Sequence, residues 1–161
     1  SSTSRGLGDV YKRQGLGSGV PIGAVVAHGK AATVLQPGNH GSTFGGNPLA
    51  MRAGIETIRI MEEDGLLAHT TKVGDHLKAT LQKELADVKG VVDVRGQGLI
   101  IGIELNKPCG ALLGRGAEAG LLFSVTADTV VRLVPPLIMT EAEADEVVAK
   151  LKPLIVQFLS E

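Results

Sequence analysis

Between residues 66 and 85 an aliphatic side chain returns every fourth position, at Val73, Leu77, Leu81 and Leu85. That is the spacing of one helix face. The same period recurs near the C-terminus at Ala144, Val147, Val148, Leu151, Ile155 and Phe158. It follows Thr140-Glu141-Ala142-Glu143, whose threonine and second glutamate form a capping box. A third helix is predicted from Pro48 to about Glu63, with Ala50, Ala53, Gly54, Thr57, Ile58 and Met61 on one face. That face is small at its start, so it expects a very close neighbour. Shorter helices are predicted over residues 30–35, ended by Pro37-Gly38, and over 109–119, stopped by Gly120. Apolar runs at residues 22–27, 91–95, 99–105, 121–125 and 129–134 predict strands. Gly96-Gln97-Gly98 joins two of them as a turn, and Pro135-Pro136 ends the last.

These elements predict an α/β to α+β chain: one early strand with its loops, a long helical connector, then a small sheet covered by helices. Residues 15–62 and 63–161 are the expected parts. The first part is too short to bury both faces of its strand. That suggests a truncated chain, whose missing N-terminal portion supplied the rest of a larger sheet. Residues 1–14 are polar, without period, and hold the only tyrosine. They read like a translated sequencing adaptor, and the expectation is a non-native tail.

Composition narrows the function classes. Hydrophobic residues make up 43% and charged residues 20%, enough to build a core. Lys+Arg number 16 against Asp+Glu 17, with no basic stripe, which argues against nucleic acid. Aromatic residues are only 2%, so the core must be aliphatic and stacking on bases has little to use. No apolar run has the length of a membrane span. The single cysteine, Cys109, excludes an internal disulfide and suits a reducing compartment.

Two places invite chemistry. Gly41-Ser42-Thr43-Phe44-Gly45-Gly46-Asn47-Pro48 is a hydroxyl- and glycine-rich loop running into a helix, with Asn47 as N-cap and Pro48 at the first helical position. Free backbone N–H groups beside Ser42 and Thr43 would seat a phosphate or carboxylate; a plain capped turn is the equal alternative. Arg132, in Val130-Val131-Arg132-Leu133-Val134, shares a strand face with Val130 and Val134. A guanidinium among valines needs an anion, either Glu104 within the chain or a ligand carboxylate. The remaining candidates are weaker. Gly17 and Gly19 start a nucleotide fingerprint, but Ile22 stands where its third glycine belongs. His28, His40, His69 and His76 fit no metal spacing, and His69 and His76 are expected to be solvated. Ser42 has no nucleophile elbow around it.

Four segments stand in order: residues 15–24, residues 40–50, Val94-Arg95-Gly96-Gln97-Gly98-Leu99, and Val131-Arg132-Leu133-Val134-Pro135-Pro136-Leu137. Together they resemble the C-terminal part of class-III aminotransferases, enzymes of fold type I that depend on pyridoxal 5'-phosphate. The stretch from Val125 to Leu137 looks most like the acetylornithine branch, which serves arginine biosynthesis; the alternatives are a sibling acting on ornithine, succinylornithine or 4-aminobutyrate, or a lysine-less homologue that is not an enzyme. The resemblance covers residues 15–161. It implies that Thr43 binds the cofactor phosphate across a homodimer interface, that Ser42 contacts the amino-acid substrate, and that Arg132 holds its α-carboxylate. It also implies a cytoplasmic enzyme whose residues 15–62 end the large domain and whose residues 63–161 form the small one. One departure is sharp. The family sets its Schiff-base lysine immediately before the Gly-Leu-Gly-x-Gly loop, and here that position is Gln14. A glutamine amide cannot replace that amine, so the chain as written is expected to be inactive.

Overall fold

The computed structural model describes residues 15–25, 27–34, 36, 38 and 41–161. It divides into two compact units, Ser1–Asp64 and Gly65–Glu161. Residues 1–14, Val26, Leu35, Pro37 and His40 lie outside the described residues, so the expectations placed on them have no structural counterpart.

In the first unit the main element is helix α1, Pro48–Glu63. Asn47 caps it: its side-chain oxygen accepts from the Ala50 N–H at 2.9 Å, and Pro48 occupies the first turn. The small face is used as its sequence requires. Gly54 is buried, and a Cβ there would lie 3.3 Å from the Ile22 side chain. Thr57 returns its hydroxyl to the Ala53 carbonyl at 2.9 Å. On the exposed face Arg59 bonds Glu56 and Glu63, and its hydrogen bond to Glu56 holds that carboxyl below its ordinary range.

Two expectations fail in this unit. The strand expected over residues 22–27 is absent among its described residues, 22–25 and 27: they carry no ladder, and Val25 is 86% exposed. A strand exists only where a neighbour completes its hydrogen bonds, and no described residue pairs with this segment. The helix over 30–35 is instead a 3₁₀ turn, Gly29–Thr33.

The second unit holds a four-stranded antiparallel sheet in the order β1-β2-β4-β3: β1 Val91–Gln97, β2 Ile100–Leu105, β3 Ser124–Thr126 and β4 Val130–Leu133. The β1–β2 hairpin turns through Gly98, whose φ of 52° lies in the left-handed region. Helix α2, Leu66–Leu85, lies on β1 and β2. Helix α4, Glu141–Ser160, packs on α2 and on the short helix α3, Leu112–Glu118. Leu77, Leu81, Ile101, Ile103, Leu112, Leu151 and Ile155 are sealed from solvent in one aliphatic core.

The capping box at Thr140 is present in both directions, and α4 continues through Pro153, whose ring is exposed. His69 and His76 are not merely solvated. His69 Nε2 lies 2.8 Å from the Met139 carbonyl oxygen, and His76 Nε2 lies 2.7 Å from Asp145 Oδ1. With Lys72–Glu141 at 3.1 Å they tie α2 to the start of α4.

Helix α3 starts three residues later than its pattern suggests. The Cys109 N–H bonds the Asp128 carbonyl at 2.8 Å, and residues 109–113 close tighter turns, Leu112 N–H on Cys109 O at 3.0 Å and Leu113 N–H on Gly110 O at 3.1 Å, before the α-helical ladder begins. The thiol of Cys109 is buried, which pushes its pKa up. At the other end Leu121 N–H bonds Gly116 O at 2.8 Å and Gly120 N–H bonds Ala117 O at 3.1 Å. This closing motif uses the positive φ of Gly120. It also takes Leu121 out of strand pairing, so β3 begins only at Ser124. Among the described residues no helix is long and apolar enough to cross a membrane.

Candidate functional site

The hydroxyl loop of the first unit is a compact exposed turn. Gly45 N–H donates to the Ser42 carbonyl at 3.1 Å, and Asn47 Nδ2 donates to the Phe44 carbonyl at 3.0 Å. Gly46 adopts a φ of 74°, and a Cβ on Gly45 would stand 3.3 Å from Ser42 Cβ. Both glycines therefore shape the turn. Ser42 and Thr43 are exposed, and among the described residues neither hydroxyl has a protein partner.

The helix start is less open than the sequence reading supposes. Pro48 has no N–H, Ala50 N–H is held by Asn47 Oδ1, and Met51 N–H bonds Asn47 O at 3.1 Å. Leu49 alone keeps an uncommitted N–H in the first turn among the described residues. The anion-seating capacity thus rests on the Ser42-Thr43 turn itself, with the helix end as a minor contributor.

Arg132 sits in the second unit on β4, on the sheet face turned away from the aliphatic core. It is exposed, so burial does not oblige it to find an internal anion. Strand register places it opposite Gly102 on β2 and opposite Ser124 on β3. Its Nε donates to Ser124 Oγ at 3.0 Å. Glu104 is not its partner. That carboxylate bonds Arg95 Nη1 at 2.5 Å, and Asp93 bonds the same nitrogen at 3.0 Å. Register alone does not separate the two arginines: both stand opposite Gly102, one pleat from Glu104, and it is Arg95 that the carboxylate takes.

Arg95 and Arg132 therefore flank Gly102 from opposite sides. The first has two carboxylates on its Nη1. The second has only a neutral hydroxyl, and its Nη1 and Nη2 have no partner among the described residues. A bare guanidinium fork on a rigid strand can grip a carboxylate with two parallel hydrogen bonds. Ser124 is the residue that sequence reasoning missed. It lies within a predicted strand, but its pairing with Arg132 follows from a turn at residues 127–129, and the strand ends predicted at 125 and 129 misplace that turn.

Comparison with known proteins bears on the family of the chain. The chain is 56% identical over 148 residues to acetylornithine aminotransferase 1 of Bordetella bronchiseptica, covering 92% of this chain and 38% of that protein. It is 48% identical to the acetylornithine aminotransferase of Nitrosomonas europaea, covering 91% and 37%. Among solved structures it matches Plasmodium falciparum ornithine delta-aminotransferase with a TM-score of 0.79 at 35% identity, over 89% of this chain and 38% of that one. It matches the acetylornithine aminotransferase of Elizabethkingia anophelis with a TM-score of 0.77 at 32% identity, over 88% and 39%. The chain thus spans a little over a third of the length of these relatives. The family described as aminotransferase class-III matches residues 10–155. With a family match across most of its length and a shared fold, the chain belongs to the class-III aminotransferases, a pyridoxal-phosphate-dependent family of fold type I.

Proposed function

We propose that the chain is the C-terminal part of an acetylornithine-type aminotransferase, moving an amino group between N-acetylornithine and 2-oxoglutarate. The observation that carries this reading is the Arg132 fork, the arginine left without a carboxylate on a face where Arg95 has two. In this reading residues 15–62 close the large cofactor-binding domain and residues 63–161 are the small one. The active site is shared by two subunits of a cytoplasmic homodimer.

The residues present fit the cofactor in part. The Ser42-Thr43 turn offers free hydroxyls and carries no acidic side chain, which suits a phosphate. Thr43 takes the phosphate, Ser42 and Arg132 take the substrate, and the arginine fixes a carboxylate so that the reacting carbon is oriented. When bound, pyridoxal phosphate supplies an electron sink. The amine that would attach it is absent, because position 14 is Gln14. The chain as written therefore performs no transfer.

A chimera tests the reading: the upstream portion of the Bordetella bronchiseptica relative, with its own residue at position 14, joined to residues 15–161 of this chain. It should transfer the amino group of N-acetylornithine to 2-oxoglutarate and prefer N-acetylornithine to ornithine, the substrate named for a relative 41% identical to this chain. Arg132→Lys in the chimera should lower kcat/KM by roughly one to two orders of magnitude, since lysine cannot make the paired contact. Thr43→Val should shed the cofactor on dialysis, read from its absorbance. Unchanged kinetics would remove Arg132 from the site, and faster turnover of ornithine would reassign the substrate.

A further inference from the structure

A guanidinium can meet a carboxylate along two edges. The side edge uses Nε and one Nη; the end edge uses both Nη groups. On an exposed strand both are normally open, and a long side chain samples many rotamers at an entropic cost to binding. In this structure the choice is already made. Ser124 and Arg132 are directly paired across β3 and β4, and Arg132 Nε donates to Ser124 Oγ at 3.0 Å. The side edge has thus lost its Nε hydrogen.

We propose that Ser124 is a positioning residue: its hydroxyl holds the Arg132 guanidinium by Nε, leaving Nη1 and Nη2 as an end-on fork for the substrate carboxylate. This rests on the assignment of Arg132 as the carboxylate anchor.

Three features of the surroundings support it. The holding group is neutral, so it fixes the arginine without cancelling its charge; an aspartate there would compete with the ligand. Gly102, the partner of Arg132 on β2, has no side chain to crowd the fork from that side. Arg95, the next cation on the face, stands two strands away, roughly 10 Å, and its charge is met by Asp93 and Glu104. The nearest acidic groups on this face are therefore engaged elsewhere. The serine also has a second, long contact of 3.5 Å to the Arg132 carbonyl, which steers its hydroxyl hydrogen away from Nε.

The experiment uses the full 161-residue chain, labelled with ¹⁵N and observed through its arginine side-chain resonances. Glutarate serves as the dicarboxylate probe. The Nε–H of Arg132 should exchange with water about tenfold more slowly than that of a free arginine, the protection expected of one charge-assisted hydrogen bond. Ser124→Ala should abolish that protection and Ser124→Thr, which keeps a hydroxyl, should restore it. Glutarate should shift the Nη resonances of Arg132 while leaving Nε nearly still, with affinity lowered about three- to tenfold in Ser124→Ala. Equal Nε–H exchange in the parent and Ser124→Ala, in chains with matching backbone spectra, overturns the proposal. So does a glutarate shift centred on Nε, which would mean side-on binding. Protection that follows Ser124 with no glutarate shift anywhere on Arg132 overturns the carboxylate assignment itself, a different failure from loss of the serine contact.

Discussion

Gly74 on α2 and Gly98 in the β1–β2 turn touch backbone to backbone. A Cβ built on Gly74 would overlap the Gly98 carbonyl, which cannot step aside because the hairpin fixes it. Gly114 on α3 is the contrasting case, with open space around its missing Cβ. Gly74→Ala should therefore destabilise the chain by about 3 kcal/mol, the upper part of the range for forced overpacking. Gly114→Ala should stabilise it by about 0.5–1 kcal/mol through helix propensity. Urea denaturation of the two variants reads both signs, and a neutral Gly74→Ala would mean that α2 sits further from the hairpin. The sequence marks these glycines but does not separate them, because the difference lies in what stands opposite. Arg132 has the same history. Its oddity among valines is legible, while its true neighbours, Gly102 and Ser124, follow from a register that depends on the whole sheet.

The long helices are readable at the level of the element and one strand is not, for the same physical reason. A helix closes its hydrogen bonds within four residues, so Asn47-Pro48, the period of α2 and the Thr140 box each act locally. The segment at residues 22–27 has a strand's composition, but its hydrogen bonds need another strand. The α4 cap gives the local argument a measurable consequence. The Thr140 N–H and hydroxyl bonds hold the Glu143 carboxyl below its ordinary range. A depressed folded pKa means that the unfolded chain binds more protons near its own carboxylate pKa of about 4.3. The cap's electrostatic contribution is then present above that pH and lost as pH falls through the folded value. Thr140→Ala should cost about 1 kcal/mol at pH 7. Glu143→Gln should lower the urea midpoint at pH 7, and its difference from the parent should fade in acid. Because Glu84 and Glu161 are depressed in the same direction, by Lys152 and Arg115 respectively, the variant-minus-parent difference is the quantity to follow. A difference that grows in acid would contradict the cap.

Across the whole molecule the aliphatic core belongs to one side of the division at Gly65. Every residue of the core cluster lies between Val73 and Phe158. Of the described residues before Gly65, only Gly17, Ala50 and Gly54 are buried, and two of those have no side chain to contribute. Leu49, Ile55 and Ile58 on α1 remain 71%, 58% and 48% exposed. An independent fold needs apolar burial large enough to offset chain entropy. The second unit supplies it through α2, α4 and the inner face of the sheet, and the first does not. The two candidate places divide the same way: the hydroxyl turn belongs to the first unit, whose described residues build no core, and the arginine strand belongs to the second, which has one. An excised segment of residues 65–161 should therefore unfold in a single cooperative urea transition, with amide exchange protection greatest in α2, β2 and α4. A segment of residues 15–64 should show no transition and little protection, its α1 helix being only 16 residues long with few buried side chains. Non-cooperative melting of 65–161 would mean that the core depends on residues before Gly65, and the division of labour argued from burial would fail.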